Sequence, residues 1–447
     1  PRKKIRVKRI LKWLALFFLL IIGGMVFMFV KGLNSKPTGP DAKPAVVEKF
    51  NGKKSRDGVN ILILGTDGRI GEKSDETRTD SIPMTKLEDA ARRVSAIFNR
   101  YPKIYNSNVV VICKNNTLYR LTSEGIRRKT DNGFADFYVT ANIRSDEGTV
   151  LSDRFSHIVC SADELDEGEL DKAVTAFADR LVALSHAQAV NDYYVGPVMY
   201  EGDVVPSSIQ NNLFSYFMAR RSVKDNSSIS SMLFGKRILD PKISVTQLTD
   251  LPSYNGIRLL GNYQYDANGI APAKQLTIIQ NGVLKTLLCG RYPALNATTT
   301  TGNDRFMADI TQQAASNTMP ATIHMTATGG KPMAKLKDLL RKEAKAQGLS
   351  FAYIVRQPAG MSPCLYRVDV KTGEEQMILT TNIPTPKKSD YMHIVGSSTE
   401  ENVFNSLSGT IGTSVIAPKA IIVESIENYF KKPKTDKEDP IRNPLDK

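Results

Sequence analysis

The sequence predicts an α/β protein in which a body of mixed β-sheets follows one N-terminal transmembrane helix. Hydrophobic residues make up 41% and charged residues 24% of the 447 residues, a balance typical of folded chains. Patterns of helical periodicity alternate with short runs rich in β-branched residues over most of the chain. Near the start, the run 13–30 is apolar throughout and carries no charged side chain, which predicts the transmembrane helix.

The first segments predict a membrane anchor followed by a spacer. Residues 1–12 form a basic tail, and residues 31–58 form a linker rich in proline, glycine and lysine. A cleaved signal peptide is the alternative, but the apolar run ends in Phe-Met-Phe-Val-Lys-Gly, which is a poor cleavage site. Basic residues beside a membrane span face the cytoplasm. We therefore expect a single-pass protein of the cell membrane with the bulk of the chain outside the cytoplasm.

The net charge of +14 does not predict a nucleic-acid partner. Half of the excess comes from basic residues in the first twelve positions, where they set membrane orientation. The four cysteines are widely spaced and form no Cys-x-x-Cys pair. Disulfides would be permitted outside the cytoplasm, but the apolar surroundings of Cys113 and Cys160 favour buried free thiols.

Residues 59–82 combine a buried strand with a polar loop that pairs acids with arginines. Asp67 and Arg69 follow the strand, and Arg78 and Asp80 lie further along the loop. Arginine forks bind phosphate oxygens, and carboxylates can hold a magnesium ion against them. A solvated loop with surface ion pairs is the alternative.

Together with the basic tail, the apolar run and the spacer, the segments NILILGTDGR and RTDSI resemble the start of the LytR-CpsA-Psr family. That resemblance implies transfer of glycopolymers from a polyprenyl pyrophosphate to the cell wall. Asp67, Arg69, Arg78 and Asp80 match the phosphate-binding positions. After Ile82 the chain departs from that family, because a helix replaces the expected apolar strand and further Arg-Asp motif.

Further along, periodicity predicts the individual elements of the body. Helices are expected at 84–99 and 165–186, where apolar residues recur on one face. Asn281-Gly282 between apolar flanks predicts a β-hairpin. A second hairpin is predicted to turn at 114–116. A strand at 419–424 is expected to lead into a short helix, before a disordered tail at 431–447.

From about residue 86 onward, the chain resembles the TldD/PmbA family, the modulators of DNA gyrase, which are metallopeptidases and related proteins. The segments that carry the resemblance occur in the family's order: YPKIYNSNVVVICKNNTLYRLTSEG, ELDKAVTAFADRL, YVGPVMYEG and the stretch 241–291. The resemblance implies a shortened N-terminal region at 83–188 and a mixed-sheet C-terminal domain at 189–430.

Active members of that family carry a His-Glu-x-x-x-His zinc motif on the helix after the strand that matches Tyr194–Tyr200. This chain has four histidines, and none lies in the expected region 201–220. The acids there are Glu201 and Asp203, which form either a degenerate metal region or a solvated turn. We therefore assign no metal ligand and no catalytic residue, and leave open whether the chain is an enzyme.

These observations predict a membrane-anchored, TldD/PmbA-like protein without its own zinc motif, acting as a peptide-binding or partner subunit. The expected partners are the membrane, unfolded peptide, and a TldD-like catalytic subunit or further copies of the chain. Zinc would belong to a partner subunit, and magnesium to the phosphate-like site. A glycopolymer transferase of the LytR-CpsA-Psr type and a non-enzymatic envelope scaffold are the alternatives.

Overall fold

A computed structural model of the chain describes most of the region after Ile82. The described residues are 83–121, 127–161, 164–219, 229–291, 294–309, 312–408 and 411–434. The helices in these ranges are α1 (Met84–Ile97), α2 (Glu167–Ser185), α3 (Val204–Phe217), α4 (Ile229–Leu233) and α5 (Met333–Ala346). Short 3₁₀ turns lie at Phe98–Arg100 and Asp390–Met392.

The strands are numbered in chain order. The first ten are β1 (Ile104–Leu121), β2 (Arg127–Arg144), β3 (Val150–Val159), β4 (Gln188–Ala189), β5 (Asp192–Gly202), β6 (Ile243–Leu248), β7 (Ser253–Tyr254), β8 (Ile257–Arg258), β9 (Gln275–Gln280) and β10 (Val283–Leu284). The others are β11 (Asp304–Asp309), β12 (Gln312–Thr318), β13 (Thr322–Ala327), β14 (Phe351–Gln357), β15 (Cys364–Asp369), β16 (Glu375–Leu379), β17 (Ile394–Ser397), β18 (Glu401–Ser408), β19 (Ile411–Pro418) and β20 (Ala420–Phe430).

An N-terminal layer consists of the antiparallel sheet β1-β2-β3 with α1 and α2 packed on one face. The predicted apolar face of α1 is buried there, including Leu87 and Val94. Asp166 caps α2 by accepting a hydrogen bond from the Glu169 backbone N–H (3.1 Å), and acidic residues occupy the first turn. Both features favour a helix start. The cap satisfies a free backbone N–H group, and the acidic side chains interact favourably with the positive end of the helix dipole.

The C-terminal part contains two larger sheets with α3 in the core between them. One sheet has the order β17-β20-β5-β14-β15-β16-β4, and the other has the order β10-β9-β6-β13-β19-β18. Apolar residues of α3, such as Ile209 and Phe217, belong to the same buried cluster as residues of both sheets. Helix α5 covers the opposite face of the seven-stranded sheet. The mixed-sheet α/β body is therefore confirmed.

Two predictions of local structure were wrong. The predicted turn at 114–116 continues as strand, because β1 pairs with β2 without interruption from Asn106 to Leu121. The predicted helix after residue 424 is also strand: β20 extends to Phe430 after a bulge and pairs with the first half of β5. The Asn281-Gly282 hairpin is confirmed, and both residues adopt the positive φ that this turn requires (48° and 77°).

All four cysteines are free thiols, whereas the prediction of buried free thiols concerned Cys113 and Cys160. Cys160, Cys289 and Cys364 are buried, whereas Cys113 is half-buried. Burial raises the pKa of Cys160 to about 11, so this thiol stays protonated and unreactive near neutral pH.

The predicted membrane localisation is wrong. In the stretches of chain that the structure describes, no helix is both long and apolar enough to span a bilayer. The longest of them, α2, has 19 residues but carries charged side chains along its length, including Asp171 and Arg180. The predicted membrane helix at 13–30 lies outside the described residues, as do the basic tail, the linker 31–58 and most of the tail 431–447.

Candidate functional site

The turn from β5 into α3 requires glycine at position 202. Gly202 has a φ of +83°, and a Cβ at this position would lie 2.1 Å from the Gln357 carbonyl oxygen. Such a backbone conformation and approach exclude other side chains without rearrangement. The turn ends the strand and starts α3 directly beneath the end of β14, with which β5 pairs in parallel.

Asp203 links three parts of the fold at this turn. One carboxylate oxygen accepts a hydrogen bond from the Gly360 backbone N–H (3.0 Å), and the other accepts one from the Asn402 amide (2.8 Å). The Asp203 backbone N–H donates to the Gln357 carbonyl (2.8 Å). Burial raises the pKa of Asp203, and the two hydrogen bonds to the carboxylate oppose that rise.

The contact with Gly360 continues into the N-terminal layer. The Gly360 carbonyl accepts a hydrogen bond from the Ser156 backbone N–H on β3 (2.9 Å), and Phe155 forms an isolated β-bridge with Met361. A chain of contacts therefore runs from α3 through Asp203 and the loop at 358–361 to β3.

Glu201 belongs to a different network, composed of alternating charges. Its carboxylate accepts a hydrogen bond from Arg356 (3.0 Å), which also donates to Glu375 (2.7 Å), and Glu375 in turn pairs with Lys337 on α5 (2.6 Å). Burial alone would raise the pKa of Glu375, but the bonds from Lys337 and Arg356 outweigh it and lower the pKa. The Arg356 guanidinium also stacks on Tyr366, at 4.5 Å from the ring centroid.

The two acids at the start of α3 therefore have separate, satisfied partners. Among the described residues, no group of three or more His, Cys, Asp and Glu side chains has a geometry that could hold a metal ion. None of the four histidines lies on α3: His157 is on β3, His186 caps α2, His324 is on β13, and His393 follows a 3₁₀ turn.

The polar side of α3 makes neutral hydrogen bonds instead. Gln210 accepts a hydrogen bond from the Ser406 hydroxyl on β18 (2.7 Å), and Asn212 donates to the Pro386 carbonyl (2.7 Å). Ser208 shares a hydrogen bond with the buried hydroxyl of Tyr391 (2.6 Å). This helix consequently holds β18 and the loop before residue 390 in place, and its sequence contains no histidine and no carboxylate.

Strand β18 is the edge of the six-stranded sheet. The Lys419 backbone N–H donates to the Glu400 carbonyl (2.7 Å), so Glu400 and Lys419 form a hydrogen-bonded pair of the ladder between β18 and β19. Because such pairs alternate along an antiparallel ladder, Val403, Asn405 and Leu407 direct their backbone N–H and C=O groups away from β19. In the described part of the chain, no strand pairs with that side of β18.

One known protein family matches part of this region. Residues 194–344 match the profile of the PmbA/TldA metallopeptidase C-terminal domain, which here runs from β5 into α5 and includes α3. The chain resembles the TldD/PmbA family. No curated protein sequence matches it.

Solved structures show the TldD/PmbA-like fold over a longer stretch. A protein described as a modulator of a DNA gyrase from Thermotoga maritima has 16% identity and a TM-score of 0.53, over 80% of this chain and 78% of that one. TldE from Thermococcus kodakarensis has 13% identity and a TM-score of 0.55, with 82% and 79% covered. A similar protein from Bacteroides thetaiotaomicron has 14% identity and a TM-score of 0.54, with 81% and 76% covered. At these identities the likeness establishes the fold.

The predicted site residues have different outcomes. Asp67, Arg69, Arg78 and Asp80 lie outside the described residues. Glu201 and Asp203 lie at the start of α3, as expected, with partners that the sequence did not indicate. Gly360 and Asn402 were missed because they are 157 and 199 positions away from Asp203, beyond the reach of any local pattern.

Proposed function

We propose that this chain is the peptide-binding partner subunit of a TldD/PmbA-type assembly in which another subunit carries the zinc. The free edge of β18 is the observation that carries the proposal. An extended peptide can add to such an edge as a further strand, through main-chain hydrogen bonds that tolerate many sequences. Helix α3, the one that follows β5, holds neutral side chains and therefore supports the strand without supplying catalysis.

In this proposal Glu201 and Asp203 position the site and bind no metal. The oxygens of Asp203 are occupied by Gly360 and Asn402, and Asn402 is on β18 itself. Glu201 is paired with Arg356 on the neighbouring strand. A divalent cation would have to displace these donors and find further ligands, and the described residues contain no group of three or more His, Cys, Asp and Glu side chains that could hold it.

Proline at position 403 tests the edge directly. Val403→Pro removes an N–H that points away from β19, so the ladder with β19 keeps its hydrogen bonds while an added peptide loses one. A net hydrogen bond contributes about 1 kcal/mol, so we expect the Kd of a fluorescently labelled unstructured peptide to rise about fivefold. Fluorescence anisotropy with the purified full-length chain measures this change.

Val403→Ala is the matched control, because it shortens the same side chain but keeps the N–H. Its Kd should stay close to that of the unmodified chain, and circular dichroism should show the same fold for both variants. If proline and alanine weaken binding equally, the side chain rather than the strand edge carries the interaction. If the unmodified chain binds no peptide, the proposal fails and a non-enzymatic scaffold is favoured.

The partner role has its own measurement. The purified chain should hold no stoichiometric zinc by elemental analysis and should leave unfolded peptides intact. Stoichiometric zinc together with peptide cleavage by the chain alone would contradict the partner role while leaving the edge-binding result unaffected.

A further inference from the structure

A second surface, away from the β18 edge, combines exposed apolar side chains with unpaired positive charge. We call it the anchor surface; it consists of Met232, Phe234, Leu295, Lys236, Arg237 and Lys285. The three apolar side chains are 60%, 37% and 51% exposed, in that order. Large apolar side chains grouped in solvent are a common mark of protein interaction sites.

Hydrogen bonds bring the two segments of the anchor surface together. The Ser231 hydroxyl donates to the Leu295 carbonyl (3.1 Å), and the Asn296 amide donates to the Ser231 carbonyl (3.0 Å). Leu295 therefore lies beside the end of α4, where Met232 and Phe234 follow Ser231 in the sequence. Both segments therefore contribute exposed apolar side chains to this part of the molecule.

The position of Leu295 is fixed by a tight turn. Ala294 and Ala297 exchange two backbone hydrogen bonds of 3.0 Å each, and Asn296 between them has a φ of +62°. Ala294 packs against the core and Ala297 is part of it, so Leu295 is held outward. An anchor that is already ordered loses little conformational entropy when a partner binds.

The rim of the anchor surface is positive. The Lys236 carbonyl accepts a hydrogen bond from the Leu284 backbone N–H on β10 (3.0 Å), Arg237 forms a β-bridge with Val283, and Lys285 directly follows β10. No carboxylate in the described residues forms an ion pair with these three side chains. The sequence segments 229–239 and 270–303, which build the surface, contain no aspartate or glutamate at all.

We propose that the anchor surface docks an acidic segment of another protein, with apolar side chains placed between its carboxylates. The positive rim matches such a segment in charge, and the apolar patch would bury its apolar side chains. A second copy of this chain fits poorly, because the net charge of +14 makes the copies repel each other. A nucleic acid fits poorly too, since the patch offers a single aromatic side chain for stacking.

A labelled peptide in which glutamates flank leucine and phenylalanine is the probe, used with the full-length chain. Phe234→Ser should raise the Kd of this peptide about tenfold, the effect of losing a central anchor. Lys236→Gln should weaken binding less, and should also reduce its dependence on salt concentration, because one charge pair is lost. A peptide with glutamine in place of glutamate should bind more weakly than the probe.

Tyr429→Ser is the matched control, since Tyr429 is 46% exposed on β20 and belongs to another sheet. It should leave the Kd of the acidic peptide unchanged. The proposal is overturned if Phe234→Ser and Tyr429→Ser have equal effects, or if the glutamine peptide binds as well as the probe. It is also overturned if a single-stranded oligonucleotide competes for the surface more strongly than the peptide, or if Leu295→Asp dissolves a dimer of the chain.

The same experiment separates this inference from the proposed function. Val403→Pro should not change the Kd of the acidic peptide, because β18 contributes nothing to the anchor surface. Likewise, Phe234→Ser should leave the binding of an unstructured peptide to the β18 edge unchanged, so either proposal can fail alone.

Discussion

Replacing Arg180 with methionine should lower the free energy of unfolding by about 4 kcal/mol. The guanidinium of Arg180 on α2 is paired with Asp153 on β3, and the two side chains are only 8% and 4% exposed. Arg180 also donates to the Ser362 carbonyl (2.6 Å) and contacts the Cys364 sulfur (3.0 Å). Methionine would remove the ion-pair partner of the buried Asp153 carboxylate and leave it the Arg154 backbone N–H (2.7 Å) as a donor, and breaking a buried pair on one side in this way is costly. Urea denaturation followed by circular dichroism measures the change.

The paired variant distinguishes the charge effect from simple loss of packing. Changing both residues, to Arg180→Met with Asp153→Leu, removes both charges at once and should recover most of the lost stability. Arg92→Met is the matched control, because Arg92 forms an exposed pair with Glu88 on α1 and should cost less than about 1 kcal/mol. If the double variant is as unstable as the single one, packing rather than the unpaired charge causes the loss.

The Arg180 cluster shows how the N-terminal layer is fastened to the seven-stranded sheet. Ser362 and Cys364 lie at the start of β15, 182 and 184 positions after Arg180. Their contacts with α2 join the same two parts of the fold as the bond between Ser156 and Gly360. Polar contacts therefore link the N-terminal layer to the α3 region, which supports β18.

Sequence patterns correctly predicted the elements that depend on residues close together in the chain. The apolar faces of α1 and α2 and the Asn281-Gly282 turn are fixed by residues a few positions apart, so periodicity and turn chemistry sufficed. The course of β1 through 114–116 depends on its pairing with β2, which a short polar run cannot reveal. The same holds for the end of β20, where Ile426 and Phe430 are buried against β5 as strand residues.

The site was predictable only in part, for the same reason. The sequence identified two acids before α3 and the absence of histidine after them, because both are properties of one segment. It did not identify Arg356 or Asn402, which reach the acids from other strands. A short polar segment therefore suggested either a degenerate metal region or a solvated turn, whereas in the structure both acids accept hydrogen bonds from groups on other parts of the fold.

Asp203→Ala should lower the free energy of unfolding by about 3 kcal/mol, because it leaves the half-buried Gly360 N–H and Asn402 amide without this acceptor. Hydrogen–deuterium exchange should speed up at Gly360 and at Ser156, whose backbone N–H groups depend on this chain of contacts. Asp89→Ala on the exposed side of α1 is the control and should change stability by less than about 0.5 kcal/mol.

Asp203→Asn separates the hydrogen bonds from the charge. The oxygen of the new amide can accept a hydrogen bond from the Gly360 N–H. Asn402 can rotate its own amide so that its oxygen accepts a hydrogen bond from the new NH2 group, so about 1 kcal/mol of stability should be lost. The pH dependence gives the second readout. Because burial raises the pKa of Asp203, the folded state holds this proton at pH values where the unfolded state, with a pKa of about 3.9, has released it.

It follows that the stability contributed by the protonated form of Asp203 is fully present below about pH 3.9 and is lost as the pH rises through the folded pKa. The difference in unfolding free energy between the unmodified chain and Asp203→Asn should therefore shrink or reverse as the pH increases. A difference that grows with pH would mean that the hydrogen bonds from Gly360 and Asn402 outweigh the burial and that the folded state favours the carboxylate. The sign of this slope thus reports which protonation state of Asp203 the folded chain favours.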